Sequence, residues 1–248
     1  MRAMAGRGRV VASVTAMAVA VGLTASGASA SASAPTAPRV GACYDYTYQQ
    51  SLSSSSPTGV VPCKGTHTAV TYQVGTVTGA AGKATSPTAP VVITTSGRAC
   101  QLAQYKLEGF RIELSRVSFT WFVPTQAQWT AGARWFRCDA VLFSGKSYAS
   151  IPRRFLSFAK SAAGLRAYRR CATKAGNIVA CASAHAYRIK TFVRLGKLSA
   201  PWPGLAAVKA RSYRLCSAAL GRHPAFRTWP LRNGWVQAQR FSGCYVAG

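Results

Sequence analysis

Eight cysteines fall into two sets of four, Cys43, Cys63, Cys100, Cys138 and then Cys171, Cys181, Cys216, Cys244, and the landmarks around them recur in the same order. This repetition limits the fold more than any other feature, because a repeated supersecondary unit buries its apolar face the same way twice. The second cysteine of each set is followed by a histidine, Cys63 by His67 and Cys181 by His185. An alternating run then ends at glycine, Val70 to Gly75 and Ile189 to Gly196, the pattern of a half-buried strand. Each set closes on Pro-x4-Trp-x2-small-x-Arg-aromatic-x2-Cys. Pro124, Trp129, Gly132, Arg134, Trp135 and Cys138 are matched without a gap by Pro230, Trp235, Ala238, Arg240, Phe241 and Cys244. We read two homologous units, residues 39–150 and 160–248, joined by a connector at 151–159. The second unit is shortened between its shared motifs, where loops absorb deletions.

Within each unit the third cysteine lies in a helical stretch. Leu205 to Leu220 lacks interior Gly and Pro and places Leu205, Val208, Ser212, Leu215 and Ala219 on one face. Its counterpart, Ser96 to Leu107, presents Ala99, Leu102, Ala103 and Lys106. Ile112 to Val123 and Trp135 to Phe143 are strand candidates, rich in β-branched and aromatic residues. One helix among several strands predicts an α+β fold, each unit a small, mainly antiparallel sheet with one helix. Ser51 to Ser56 and Gly79 to Pro90 read as exposed loops, and Gly145 to Gly164 as a connector or a basic helix between the units.

The chain opens with Arg2, Arg7 and Arg9, an apolar run from Val10 to Leu23 and small residues at Ala28, Ser29 and Ala30, the layout of a secretory signal peptide. Residues 1–30 are therefore expected to be cleaved and 31–38 to form a linker. Export predicts that the even set of cysteines forms disulfides.

Charge narrows function further. The chain has 31 Lys and Arg against 4 Asp and Glu, a formal charge of +27. All four acids, Asp45, Glu108, Glu113 and Asp139, precede residue 140, and the remainder carries 19 basic residues with no carboxylate. Paired-carboxylate catalysis and carboxylate-rich calcium sites are poorly supplied by such a chain. The cations must meet solvent or an anionic partner.

At Gly41-Ala42-Cys43, Val61-Pro62-Cys63 with His67, Cys100, and Trp129, Gly132 and Arg134 leading to Cys138, the sequence resembles the septum formation domain family. These are small exported or membrane-tethered domains of actinobacteria. The second unit keeps its four cysteines with His185, Trp235 and Arg240 in a looser version. The resemblance implies a place at the division septum and a role as a cell-envelope protein, more than it implies a mechanism. The family tends to carry an acidic residue shortly after the histidine, where this chain has Val70 and Arg188.

The shared order makes first-to-second and third-to-fourth pairing the simplest connectivity, Cys43 with Cys63, Cys100 with Cys138, Cys171 with Cys181, and Cys216 with Cys244, among three pairings open to each unit. The competing metal reading joins Cys63 with His67 and Cys181 with His185, but zinc would need deprotonated thiols and two further ligands. We expect no metal and no cofactor. His67 and His185 read as ties to neighbouring backbone carbonyls rather than general bases. His223 has no counterpart and reads as a loop residue. The closing Trp and Arg could present a stacked ligand surface, though a packed core pair is the commoner arrangement.

The basic candidates are Arg166, Arg169, Arg170, Lys174, Arg188, Lys190 and Arg194, interleaved with Tyr168, Tyr187 and Phe192 as charges plus stacking platforms. The expected partner is an anionic cell-wall polymer or membrane surface, with a division-site protein as a second candidate; nucleic acid is not expected for an exported chain. The expected class is a non-enzymatic envelope-binding protein. The alternative is an exported cationic effector, antimicrobial or nucleic-acid-binding.

Overall fold

The alternating runs after each histidine are strands, and they build two antiparallel sheets of matching order. The computed structural model describes residues 36–56 and 58–248; the expected signal peptide and the first part of the expected linker lie outside the described residues. The first half contributes β1 (Cys43–Tyr44), β2 (Val60–Val61), β3 (Ala69–Thr76), β4 (Val117–Phe122), β5 (Trp135–Ser144) and β6 (Ser147–Tyr148). Its sheet runs β2-β1-β3-β5-β4, with β6 hairpinned onto β5. The second half contributes β7 (Arg170–Ala172), β8 (Ile178–Ala180), β9 (Tyr187–Arg194), β10 (Phe226–Arg227) and β11 (Phe241–Ala247). Its sheet runs β8-β7-β9-β11-β10, the same order element for element. Even the register irregularities agree. The β3–β5 ladder shifts between Thr71 and Gln73, beside Cys138, and the β9–β11 ladder shifts between Cys244 and Tyr245.

Helix α1 is a single turn (Gly79–Gly82), and α2 (Pro90–Glu108) starts on a proline, whose missing N–H costs nothing in a first turn. Further along come α3 (Gln126–Thr130), α4 (Phe155–Lys160), α5 (Ala162–Ala167), α6 (Leu205–Leu220) and α7 (Arg232–Val236). The buried stripes match the prediction in part: Val208 and Ser212 face inward as expected, and the cysteines join them. On α2 Val92, Ser96 and Cys100 are buried, and on α6 Val208, Ser212 and Cys216, a Val-x3-Ser-x3-Cys pattern repeated in both helices. Leu205 and Lys106, predicted on the inner faces, are exposed instead. The fixed point is the cysteine, because its bond to the sheet decides which helix face turns inward.

The four disulfides are Cys43–Cys63, Cys100–Cys138, Cys171–Cys181 and Cys216–Cys244. Two tie α2 to β5 and α6 to β11; the other two close the β1–β2 and β7–β8 edges.

Three segments read as loop or strand turn out differently. Phe110–Leu114 forms a 3-10 turn before β4, and Gly79 to Pro90 contains α1. The Ser51–Ser56 loop is not simply solvated: Val123 N donates to Ser54 O, Ser55 Oγ to Pro124 O, and Ser51 Oγ shares a hydrogen bond with Tyr148. It covers the outer face of the first sheet.

The connector and the first residues of the second unit form α4 and α5, and Phe155 and Ala159 are buried in the first half's core. That core crosses between the halves. Phe241 of β11 sets its ring edge-on to Tyr105 of α2 at 5.6 Å and to Phe192 at 5.4 Å. Arg116 N donates to Tyr168 O and Gly145 N to Ile178 O, and the described residues form one compact unit.

Candidate functional site

The closing motifs are matched clamps. In the first, α3 starts on a capping box at Thr125 and Gln128 and carries Trp129, whose indole donates to Ala84 O at 2.8 Å. Arg134 lies over that ring at 4.0 Å and donates to Gly82 O, Trp129 O and Ala133 O. In the second, Trp235 donates to Ala200 O at 2.9 Å, with Arg240 over its ring at 4.1 Å. Arg240 donates to Lys197 O, Leu198 O, Ala200 O, Trp235 O and Gln239 O. Gly132, two residues before Arg134, takes φ 93°, a conformation favouring glycine. Both Trp–Arg pairs spend their donors on backbone carbonyls and stack on each other, so their arrangement serves packing.

The histidines close their own turns. A carbonyl only accepts, so Nδ1 of His67 donates to Gly65 O at 2.9 Å and Nδ1 of His185 to Ser183 O at 2.8 Å. His223 stacks on Tyr213 at 5.5 Å and shares a 2.6 Å hydrogen bond with its hydroxyl.

The basic candidates divide. Arg166, Lys174, Arg188, Lys190 and Arg194 are exposed, Arg188 and Lys190 alternating on β9, while Arg169 and Arg170 are half-buried. Arg169 donates to Ile189 O, Arg170 to Ser115 O at 2.7 Å, and Arg194 to Gly196 O. The interleaved rings face other rings: Tyr187 stacks on Phe226 at 5.1 Å, Tyr168 meets Phe155 and Phe158, and Phe192 meets Phe241.

A second cation–aromatic strip, not read from the sequence, lies on α6 and β10. The Arg227 guanidinium sits 4.9 Å from the Tyr213 ring and 5.5 Å from Trp229, and Lys209 Nζ is 5.5 Å from Trp229. Lys209, Tyr213 and Arg214 are exposed along α6. The i, i+4 spacing of Lys209 and Tyr213, with Arg227 and Trp229 two apart on the neighbouring segment, was the available signal.

Two acids are enclosed. Asp139 pairs with Arg137 at 2.9 Å and accepts from Tyr46 and Thr71, while Arg137 lies 3.5 Å from the Tyr44 ring. Burial, then the Asp139 charge, holds the Tyr46 hydroxyl well above its ordinary range. Glu113 accepts from Tyr105 at 3.1 Å and lines a cavity of about 230 Å³ between the halves, with Gln101, Gln104, Arg170 and Trp229. Burial raises the Glu113 carboxyl, opposed by Arg170. Glu113 is the one carboxylate among the described residues lining this cavity. Among the described residues no three His, Cys, Asp or Glu side chains gather to hold a metal, and no helix is long and apolar enough to cross a membrane.

A family model described as septum formation matches residues 40–225 in one stretch, from the start of the first half to just before β10 of the second. No curated protein and no solved structure matches the chain.

Proposed function

Because the chain belongs to the septum formation family, we propose that it is an exported envelope protein of the division septum, holding an anionic wall or membrane polymer through its second half. The observation that carries this is charge placed on the fold. The residues from 140 onward supply 19 Lys and Arg and no carboxylate. Arg166, Lys174, Arg188, Lys190, Lys209 and Arg214 stand exposed there. Such a surface gathers a polyanion by releasing its counterions. The Tyr213–Arg227–Trp229 strip adds rings beside the cations.

Four disulfides support an oxidising compartment. Matching strand order, bridges and clamps support the reading of the halves as tandem homologous units, the second divergent. The first unit supplies a more specific contact, to a division-site protein or a small ligand. The role is binding, without catalysis or a cofactor.

Fluorescence localisation of a tagged, exported copy in dividing cells tests the septal role, and enrichment at nascent septa is expected. Pull-down on purified wall material tests the mechanism, with retention falling steeply as salt rises. Retention indifferent to salt would overturn the electrostatic reading. Release into the medium, with DNA retarded at physiological salt, would favour an exported effector.

A further inference from the structure

We propose that the cavity on the outer face of the first sheet binds a small carboxylate with an apolar body. It measures about 450 Å³ and is framed by Arg39, Tyr44, Thr58, Val60, Trp135 and Arg137. Three of these residues bring buried polar atoms without a hydrogen-bond partner: the Trp135 indole Nε1, the Arg137 Nε and the Thr58 hydroxyl. Leaving such a donor unmatched costs roughly 1–3 kcal/mol, and here the three residues that carry them line one cavity. Trp135 and Arg137 are two residues apart on β5 and so project from the same sheet face. Both N–H groups can only donate, which makes the complement an oxygen acceptor.

Charge and wall chemistry select the class. Arg137 is already matched by Asp139 at 2.9 Å, leaving Arg39 as the second, exposed cation of the lining. That suits one negative charge rather than the two of a phosphate monoester. Tyr44, Val60, Val123 and the Trp135 ring supply apolar wall, so hydrocarbon accompanies the carboxylate.

The residues that build this site have no counterpart in the second half. Phe241 and Gly243 stand where the first half has Trp135 and Arg137. Its first two cysteines are 10 residues apart against 20, so it lacks the segment that carries Ser56 and Thr58. The extra loop and the donors beneath it occur together. The proposal concerns this cavity alone, so it stands or falls separately from polyanion binding.

N-acetylalanine, which joins a carboxylate to a methyl and an amide, is titrated into the nitrogen-15-labelled, disulfide-bonded protein. The Trp135 indole signal, assigned by its loss in Trp135→Phe, should shift and saturate. By calorimetry, Trp135→Phe and Thr58→Val should each weaken binding about tenfold, with melting temperatures held. N-acetylalaninamide, lacking the charge, should bind more weakly than the acid by at least about tenfold. A Trp135 signal that stays fixed, or an affinity that both folded variants keep, would overturn the site. Inorganic phosphate binding more tightly than the carboxylate would overturn the ligand class.

Discussion

Gly132 and Ala238 occupy the same step of the two closing motifs, both with positive φ, 93° and 72°. The conformation is shared, but the surroundings differ: Gly132 is exposed and Ala238 is fully buried. A Cβ at positive φ costs roughly 1–2 kcal/mol in the left-handed region. Gly132→Ala should therefore destabilise by about 1 kcal/mol, with no burial in return. Ala238→Gly relieves strain but loses a buried methyl worth about 0.8 kcal/mol, so it should leave stability nearly unchanged. Urea denaturation of both variants decides; a Gly132→Ala protein as stable as the parent would refute the argument.

Ser96 and Ser212 stand at equivalent points of α2 and α6, and both are buried. The Ser212 hydroxyl shares a 2.7 Å hydrogen bond with Ser242. Phe136 replaces Ser242 in the first half, and the Ser96 hydroxyl has no partner. Ser212→Ala leaves the Ser242 hydroxyl with only its contact to Cys216 Sγ at 3.7 Å and removes an acceptor of Arg227, and should cost about 1–2 kcal/mol. Ser96→Ala removes an unsatisfied one and should be neutral or stabilising. Equal losses in the two variants would show that the Ser212–Ser242 bond contributes nothing.

How far the sequence reaches follows from what each residue answers to. The strands around Val70, Ile189 and Trp135 and the helix Leu205–Leu220 were legible, because local periodicity and the absence of glycine and proline set them. Both Trp–Arg motifs were legible as units, though their carbonyl partners at Ala84 and Ala200 come from loops with no signal of their own. Arg170 reads as surface charge beside Arg169, yet it turns to Ser115 O because Arg169 bridges antiparallel to Ser115 next to it. The Tyr46–Asp139–Arg137 network was hidden, since its members are 93 residues apart in the case of Tyr46 and Asp139. Arg137 and Asp139, two apart in a strand, were the local trace of it.

Tyr46 gives the fold an alkaline limit. Its hydroxyl is raised well above 10.0 by burial and by Asp139, so above pH 10 the folded chain keeps a proton that the unfolded chain releases. The folded state then binds more protons, and stability falls as pH rises. Each such proton steepens the fall by up to about 1.4 kcal/mol per pH unit. Tyr46→Phe removes one, so its stability should decline less steeply than the parent's between pH 9.5 and 11, whatever its stability at neutrality. Parallel slopes in urea titrations across that range would contradict the assignment.

Gly164 sits in the tightest part of the α4–α5 pair. A Cβ there would lie 1.8 Å from Phe158 O and 2.6 Å from Phe158 C, both backbone atoms that no rotamer change can move aside. Its N–H is held by the Ser161 hydroxyl at 2.9 Å, and its carbonyl accepts from Tyr168 N at 2.8 Å. Tyr168 in turn packs on Phe155 and Phe158, and its own carbonyl takes the Arg116 N–H across the seam between the halves. Gly164→Ala must therefore part α4 from α5 and loosen that seam. Overpacking of this kind costs about 1–3 kcal/mol, or more where backbone is the obstacle. Ser161→Ala, which loses the cap alone, should cost about 1 kcal/mol. Thermal melts should rank Gly164→Ala below Ser161→Ala, and the reverse order would mean that the close approach at Gly164 does not hold α4 against α5.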